Sequence, residues 1–188
     1  MTPPPRARLG VSACLLGERV RYDGGHKRDA FLTDVLGPHV EWVPVCPEVE
    51  IGLGVPRPTL RLEGNVETPR LVQEAGGEDL TLRMRDYAGR RVRELERLEL
   101  DGYVLKRGSP SCGLFGVPVH PCSGAPSADG RGLFAAALVE RLSMLPVEEE
   151  GRLGDPALRE RFMERVFARA RRRAVPAANL SPFPEELR

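Results

Sequence analysis

The chain has no long apolar run. None of its 188 residues belongs to a stretch near the roughly 18 consecutive apolar residues that a membrane-spanning helix needs. The opening residues Met1 to Arg8 hold three prolines and no apolar segment before a small-residue cleavage site, so no secretory leader is expected. There is also little charge imbalance. With 28 basic and 27 acidic residues the formal net charge is +1, which removes the bulk electrostatic drive toward nucleic acid or an anionic membrane. No P-loop, dinucleotide-binding glycine fingerprint or nucleophile elbow is present, and Gly108-Ser109-Pro110-Ser111-Cys112-Gly113 lacks the GxSxG spacing. The four cysteines form no CxxC pair. Their separations of 32, 66 and 10 residues exclude a zinc-ribbon arrangement. His26, His39 and His120 are too scattered for a triad or a zinc set. Lysine is nearly missing: only Lys27 and Lys106 accompany the arginines, as a GC-rich genome would produce.

What is present is globular. Hydrophobic residues make up 41% and charged residues 29%. The length fits one domain of roughly 100–200 residues, with a core that stands without disulfides. The expected organisation is an extended tail over 1–8, one α/β domain over 9–175 and an irregular tail over 176–188. Short β-branched or aromatic runs predict strands at 9–16, 40–45 and 103–105, each followed by turn or helix-start residues. Thr59–Glu63 and Arg70–Gln73 are expected to pair as short strands. Apolar spacing predicts helices over 28–36, ending at Gly37-Pro38, over 80–98 and over 132–144. A further short strand is expected from Leu145. Asp155 followed by Pro156 opens a last helix running to about Arg173. Residues 107–130, rich in Gly, Ser and Pro, read as a long functional loop. The alternation of strand and helix predicts a single α/β domain with a mostly parallel sheet flanked by helices, Rossmann-like. A cytoplasmic protein is expected.

Three of the four cysteines sit at or after strand ends, where ligands gather in open parallel sheets. Cys14, Cys46 and Cys112 are therefore the candidate metal ligands. Iron–sulfur clusters and zinc both accept such thiolates, and count and spacing alone also fit unrelated buried thiols. Cys122, in His120-Pro121-Cys122, reads as a peripheral free thiol. Glu48, two residues beyond Cys46, is a candidate proton-transfer group or a helix-start carboxylate. Ser109 and Ser111 offer hydroxyls to a substrate, or bond their own turn. Arg21 and Asp23, with Tyr22 between them, are candidates for binding a nucleobase, and Lys106 for supplying a cation. Glu148-Glu149-Glu150 reads as a solvated charge run. Eight arginines against three acids over 152–173 read as a charged helix face, with RNA phosphate as the rival partner.

Several segments resemble one family. They are Val11-Ser12-Ala13-Cys14-Leu15-Leu16-Gly17 with Val20-Arg21-Tyr22-Asp23-Gly24-Gly25, Cys46-Pro47-Glu48 with Gly52-Leu53 and Pro56-Arg57, and Ser109-Pro110-Ser111-Cys112-Gly113. Arg131-Gly132-Leu133-Phe134 and Leu145-Pro146-Val147-Glu148 match as well. The chain resembles the 2-thiouracil desulfidases and related thiopyrimidine desulfidases, long catalogued as a domain of unknown function. The resemblance implies a 4Fe-4S cluster held by Cys14, Cys46 and Cys112, with the fourth iron open. It also implies an aerobic preparation with an empty or zinc-filled site. It implies Glu48 and one serine, Ser109 or Ser111, as proton-transfer groups. Substrate-binding roles are expected for Arg21, Asp23 and Lys106. The expected reaction is non-redox removal of sulfur from a small thiolated pyrimidine, with release of sulfide. Alternatives are desulfuration of thiolated nucleosides, nucleotides or tRNA, and a non-catalytic metal- or redox-sensing protein. Some relatives carry an extra C-terminal domain, which this chain is expected to lack.

Overall fold

The computed structural model describes residues Arg6 to Ala174. The expected tail over 176–188, and most of the one over 1–8, lie outside the described residues. Strand β1 (Ala7–Ser12) pairs in parallel with β2 (Val40–Val45), Ala7 opposite Val40 and Ser12 opposite Val45. β1 is almost wholly buried, while β2, at the sheet edge, buries Val40 and Val45 and exposes Glu41 and Pro44. The strand expected over 9–16 ends early, because Ala13–Leu16 wind into a 3-10 turn. Its Ala13, Cys14 and Leu15 are buried all the same, and a short apolar run cannot distinguish a strand from a buried turn. Gly17 closes that turn at φ +96°, donating its N–H to the Cys14 carbonyl at 3.3 Å. The helix expected over 28–36 starts later, at Phe31, as one wide turn running to Leu36. The Asp29 carboxylate accepts the Leu32 N–H at 3.0 Å and so caps it. Gly37 and Pro38 do not stop the chain but continue it as a tight turn to His39.

A one-turn helix α1 (Pro47–Glu50) follows β2 directly. Strands β3 (Leu60–Glu63) and β4 (Arg70–Gln73) pair antiparallel, as expected. Helix α2 (Thr81–Arg97) then leads into β5 (Gly102–Leu105). The expected loop over 107–130 is corrected: it contains β6 (Val117–His120) and β7 (Ser127–Gly130). These four-residue strands carry little signal alone and are fixed by pairing, β6 with β3 through Leu62 opposite Val119 and β7 with β6. Helix α3 (Leu133–Arg141), β8 (Val147–Glu149) and α4 (Pro156–Ala174) complete the order. As expected, Asp155 caps α4, its Oδ1 accepting the N–H groups of Ala157 and Leu158 at 2.8 and 3.2 Å.

The first sheet has the order β2-β1-β5-β8 and is parallel throughout. The second, β4-β3-β6-β7, is mixed. Side chains alternate across the first sheet. Leu9, Val11 and Val104 pack with Phe162 and Val166 of α4, while Tyr103 and Leu105 pack with Met84 and Val92 of α2 and Phe134 of α3. The fold is thus an α/β arrangement with helices on both faces of a parallel sheet. Among the described residues, no helix is long and apolar enough to cross a membrane.

Gly10 lets the fully buried Tyr103 ring lie against β1, since a Cβ at this position would fall 2.1 Å from Tyr103 Cδ2. Gly10→Ala is expected to cost about 1–3 kcal/mol through overpacking. The measurement is the urea midpoint, and an unchanged midpoint would show that the ring does not cover β1.

Candidate functional site

Because the four strands of the first sheet run the same way, the segments after β1, β2 and β5 leave from one edge. There they line a cavity of about 240 Å³. Cys14 comes from the turn after β1, Cys46 from the step between β2 and α1, and Cys112 from the loop beyond β5. Glu48, Arg21, Tyr22, Arg57, Lys106 and Ser109 share the lining, and Thr59 and Leu60 at the start of β3 face them. All four cysteines are free thiols. Cys122 is exposed and outside the lining.

The three lining thiols titrate high. Burial pushes Cys14 up to about 11, and the nearby Cys46 adds to this against the pull of Lys106 and Arg21. Burial also raises Cys46, with the Val49 amide drawing it back and Glu48 pushing it further up. The fully buried Cys112 is raised most clearly by desolvation and then by Cys46, while the Ser12 hydroxyl favours its thiolate. Among the described residues, no three His, Cys, Asp or Glu side chains gather closely enough to hold a single metal ion.

The Cys112 turn is built as the cap of α3. The carbonyls of Pro110 and Ser111 accept N–H groups from Leu133, Phe134 and Ala135 at 3.2, 3.0 and 3.2 Å, filling donors that a helix start leaves open. Gly132 permits this approach, since a Cβ there would lie 2.5 Å from the Ser111 carbonyl. The two serines separate. Ser109 Oγ accepts the N–H groups of Ser111 and Cys112 at 3.2 and 3.1 Å and faces the cavity. Ser111 is fully buried behind the lining and donates its hydroxyl to Glu48 Oε1 at 3.0 Å.

Glu48 is gripped on its other oxygen by Arg57. The Nε and Nη2 of Arg57 donate to Oε2 at 2.9 and 2.7 Å, and the guanidinium also bonds the Val20 and Gly54 carbonyls. This pair is largely buried, with 5% of the Arg57 side chain and 15% of the Glu48 side chain exposed. Arg57 carried no expectation of its own. Its one sequence signal is its place beside Pro56, nine residues after Glu48. Asp23 does not reach the cavity. Its Oδ1 accepts the Gly25 N–H at 2.9 Å and lies 3.6 Å from Arg21 Nε, so its contact with the lining runs through Arg21. Glu148-Glu149-Glu150 is not a solvated run. Glu149 is 2% exposed, and Glu150 pairs with Lys106.

The 2-thiouracil desulfurase family model matches residues 9–150, which include all three lining cysteines. Among solved structures, a 4Fe-4S-dependent thiouracil desulfidase, TudS, is similar at a TM-score of 0.66. It is 31% identical in sequence, with 85% of this chain and 99% of that chain covered. Among curated proteins, the uncharacterized protein YbbK of Bacillus subtilis (strain 168) is 29% identical over 108 residues. The match spans 55% of this chain and 71% of that protein.

Removing the cation from Glu48 should be costly in the metal-free protein. Arg57→Leu is expected to lose about 3 kcal/mol, because it strands a buried carboxylate. Adding Glu48→Gln should restore part of that loss. Urea unfolding reads both variants. A single-variant loss under about 0.5 kcal/mol, the level of an exposed pair, would contradict the buried geometry.

Proposed function

The chain belongs to the 2-thiouracil desulfurase family, and on that footing we propose that it removes sulfur from a free thiolated pyrimidine such as 2-thiouracil. The reaction is hydrolytic and involves no net redox change. Water exchanges its oxygen for the sulfur of the C=S group, giving the oxo-pyrimidine and hydrogen sulfide. The observation that carries this reading is the meeting of three strand-end thiols with Glu48 and Ser109 around one small cavity.

The donor set suits an iron–sulfur cluster. Three soft thiolates are offered, and no fourth cysteine lines the cavity. A single tetrahedral zinc would draw its sulfurs to within roughly 4 Å of one another. The described residues hold no such close trio. Cys14, Cys46 and Cys112 would hold the 4Fe-4S cluster through three of its irons, and its open iron supplies Lewis acidity toward the thiocarbonyl sulfur.

The chain's own groups handle binding and protons. Glu48, held on one oxygen by Arg57 and on the other by Ser111, is an oriented, ion-paired carboxylate. It takes a proton from the attacking water. The Ser109 oxygen already accepts two amide N–H groups, so its own proton is directed to the ligand, where it meets an exocyclic acceptor of the ring. Ser111 orients Glu48 and does not touch the substrate. Arg21 and Lys106 bind the polar edge of the ring, with Asp23 steadying Arg21. Val20, Val45 and Leu60 supply apolar wall that limits water. Pockets for drug-sized ligands run from roughly 300 to 1,000 Å³. About 240 Å³ therefore favours a free base over a nucleotide or tRNA. The proposed unit is the domain over 9–175, acting in the reducing cytoplasm, where its thiols stay free.

Anaerobically reconstituted protein is expected to consume 2-thiouracil and release one sulfide per base. Glu48→Gln should lower kcat by about 10²–10⁴ at unchanged iron content, and Cys14→Ser, Cys46→Ser or Cys112→Ser should lower the iron content itself. Sulfide released only from thiouridine-containing RNA would move the assignment to RNA. A Glu48→Gln protein as active as the wild type would remove the proposed base.

A further inference from the structure

Two carboxylates at the end of β8, Glu149 and Glu150, turn inward and tie down the far wall of the cavity. Glu149 Oε1 accepts the N–H groups of Leu114 and Phe115 at 2.7 and 3.2 Å, anchoring the loop that carries Cys112. Glu150 Oε2 accepts the Arg107 N–H at 2.7 Å, and Glu150 Oε1 takes the Lys106 ammonium. Lys106 is therefore fixed at both ends, since its backbone N–H donates to the buried Ser12 hydroxyl at 2.9 Å.

An ammonium has three donors. One of Lys106's goes to Glu150 and one to the Arg107 carbonyl at 2.8 Å. The third has no partner among the described residues. Lys106 lines the cavity with Cys14, close enough for its charge to favour that thiolate. A compact point charge suits this place better than a planar guanidinium fork, which would need room for five donors. That gives a structural use for one of the two lysines in an arginine-rich chain.

We propose that Glu150 is a positioning residue, which fixes the Lys106 ammonium on the cavity wall so that its remaining N–H meets the ligand beside Cys14. The identity of that ligand, a thiolated pyrimidine, rests on the function proposed above; the clamp itself does not. A merely structural role for Glu150 would be served by its bond to the Arg107 amide, which a glutamine at this position still accepts. Only the hold on the ammonium separates the two roles.

The chain's two lysines make the test direct. In the metal-free, full-length protein, competitive acetylation should label Lys106 about tenfold more slowly than the exposed Lys27, because a charge-assisted bond must break first. Glu150→Gln should bring the two rates together. An unchanged Lys106 to Lys27 ratio overturns the clamp. If Glu150→Gln does not fold, Glu150→Asp, with its charge on a shorter arm, should give an intermediate ratio, and a wild-type ratio there overturns the clamp equally. In the reconstituted enzyme, Glu150→Gln should raise KM for 2-thiouracil by about tenfold with little change in kcat. Adding it to Lys106→Met should cost nothing further, since both act through one group. A fall in kcat at constant KM, or an additive loss, argues for a structural role and against the proposal. Wild-type protein without 2-thiouracil turnover would defeat the functional reading, while the acetylation ratio still decides the clamp.

Discussion

Four strands that run in one direction must deliver their C-terminal ends to one edge of the sheet, and the cavity consists of what leaves that edge. Cys14 follows β1 by two residues, and Cys46, Lys106 and Glu150 follow β2, β5 and β8 directly. Parallel neighbours cannot be joined by a tight hairpin, so the chain has to travel around between visits. That detour separates the cysteines by 32 and 66 residues while holding them around one space. β1 lies between β2 and β5, where the strand order reverses, and this is the crevice in which open α/β sheets bind ligands. The second sheet uses two of the detours, taking β3 and β4 from the one between β2 and β5 and β6 and β7 from the one between β5 and β8. It brings Thr59 and Leu60 into the lining of the cavity.

Charge around that pocket is nearly balanced without the thiols. Arg57 answers Glu48, Lys106 answers Glu150, and Arg21 faces Asp23. Few cations remain for three thiolates. Burial raises the pKa of each thiol, with Cys46 adding to the rise at Cys14 and Cys112 and Glu48 adding to that at Cys46, and Cys14 reaches about 11. Such a set is stable as neutral thiols or as ligands to a metal that displaces their protons, and unstable as bare anions. The Glu48 carboxylate sits differently. Its two oxygens are held by groups from separate parts of the chain, which fixes its direction before any ligand arrives.

The parts of this arrangement differ in how far they can be read along the chain. The first sheet was legible because its strands are apolar runs bounded by turn residues, and Val40–Val45 matches its expected limits. Strand ends then pointed to the cysteines. The second sheet was partly hidden, since β6 and β7 are too short to signal without their partners. Ser109 and Ser111 could not be told apart because the contact that separates them is distant in sequence. Ser111 meets a carboxylate 63 residues away, while Ser109 serves its own turn. The acidic run misled for a related reason. Three successive acids look solvated, yet β8 is parallel to β5, and its end lies against the loop whose amides those carboxylates bind.

The two cations at the cavity show why residue type matters as much as charge. Arg57 is enclosed and must satisfy several acceptors at once. Its fork spans one carboxylate and two carbonyls, and this rigidity suits the task of holding Glu48 still. Lys106 stands where a ligand would arrive. With two N–H groups given to Glu150 and the Arg107 carbonyl, the tetrahedral ammonium has its third N–H aimed in one direction, without a partner among the described residues. An arginine-rich chain with only two lysines has a guanidinium available for nearly every other basic position. A lysine at the end of β5, pinned from Ser12 on one side and Glu150 on the other, therefore fits a demand for a small charge with one donor to spare. The forked cation holds the Glu48 carboxylate and the compact one keeps a donor on the cavity wall, and each is steadied by a partner that the sheet brings in from another strand end or turn.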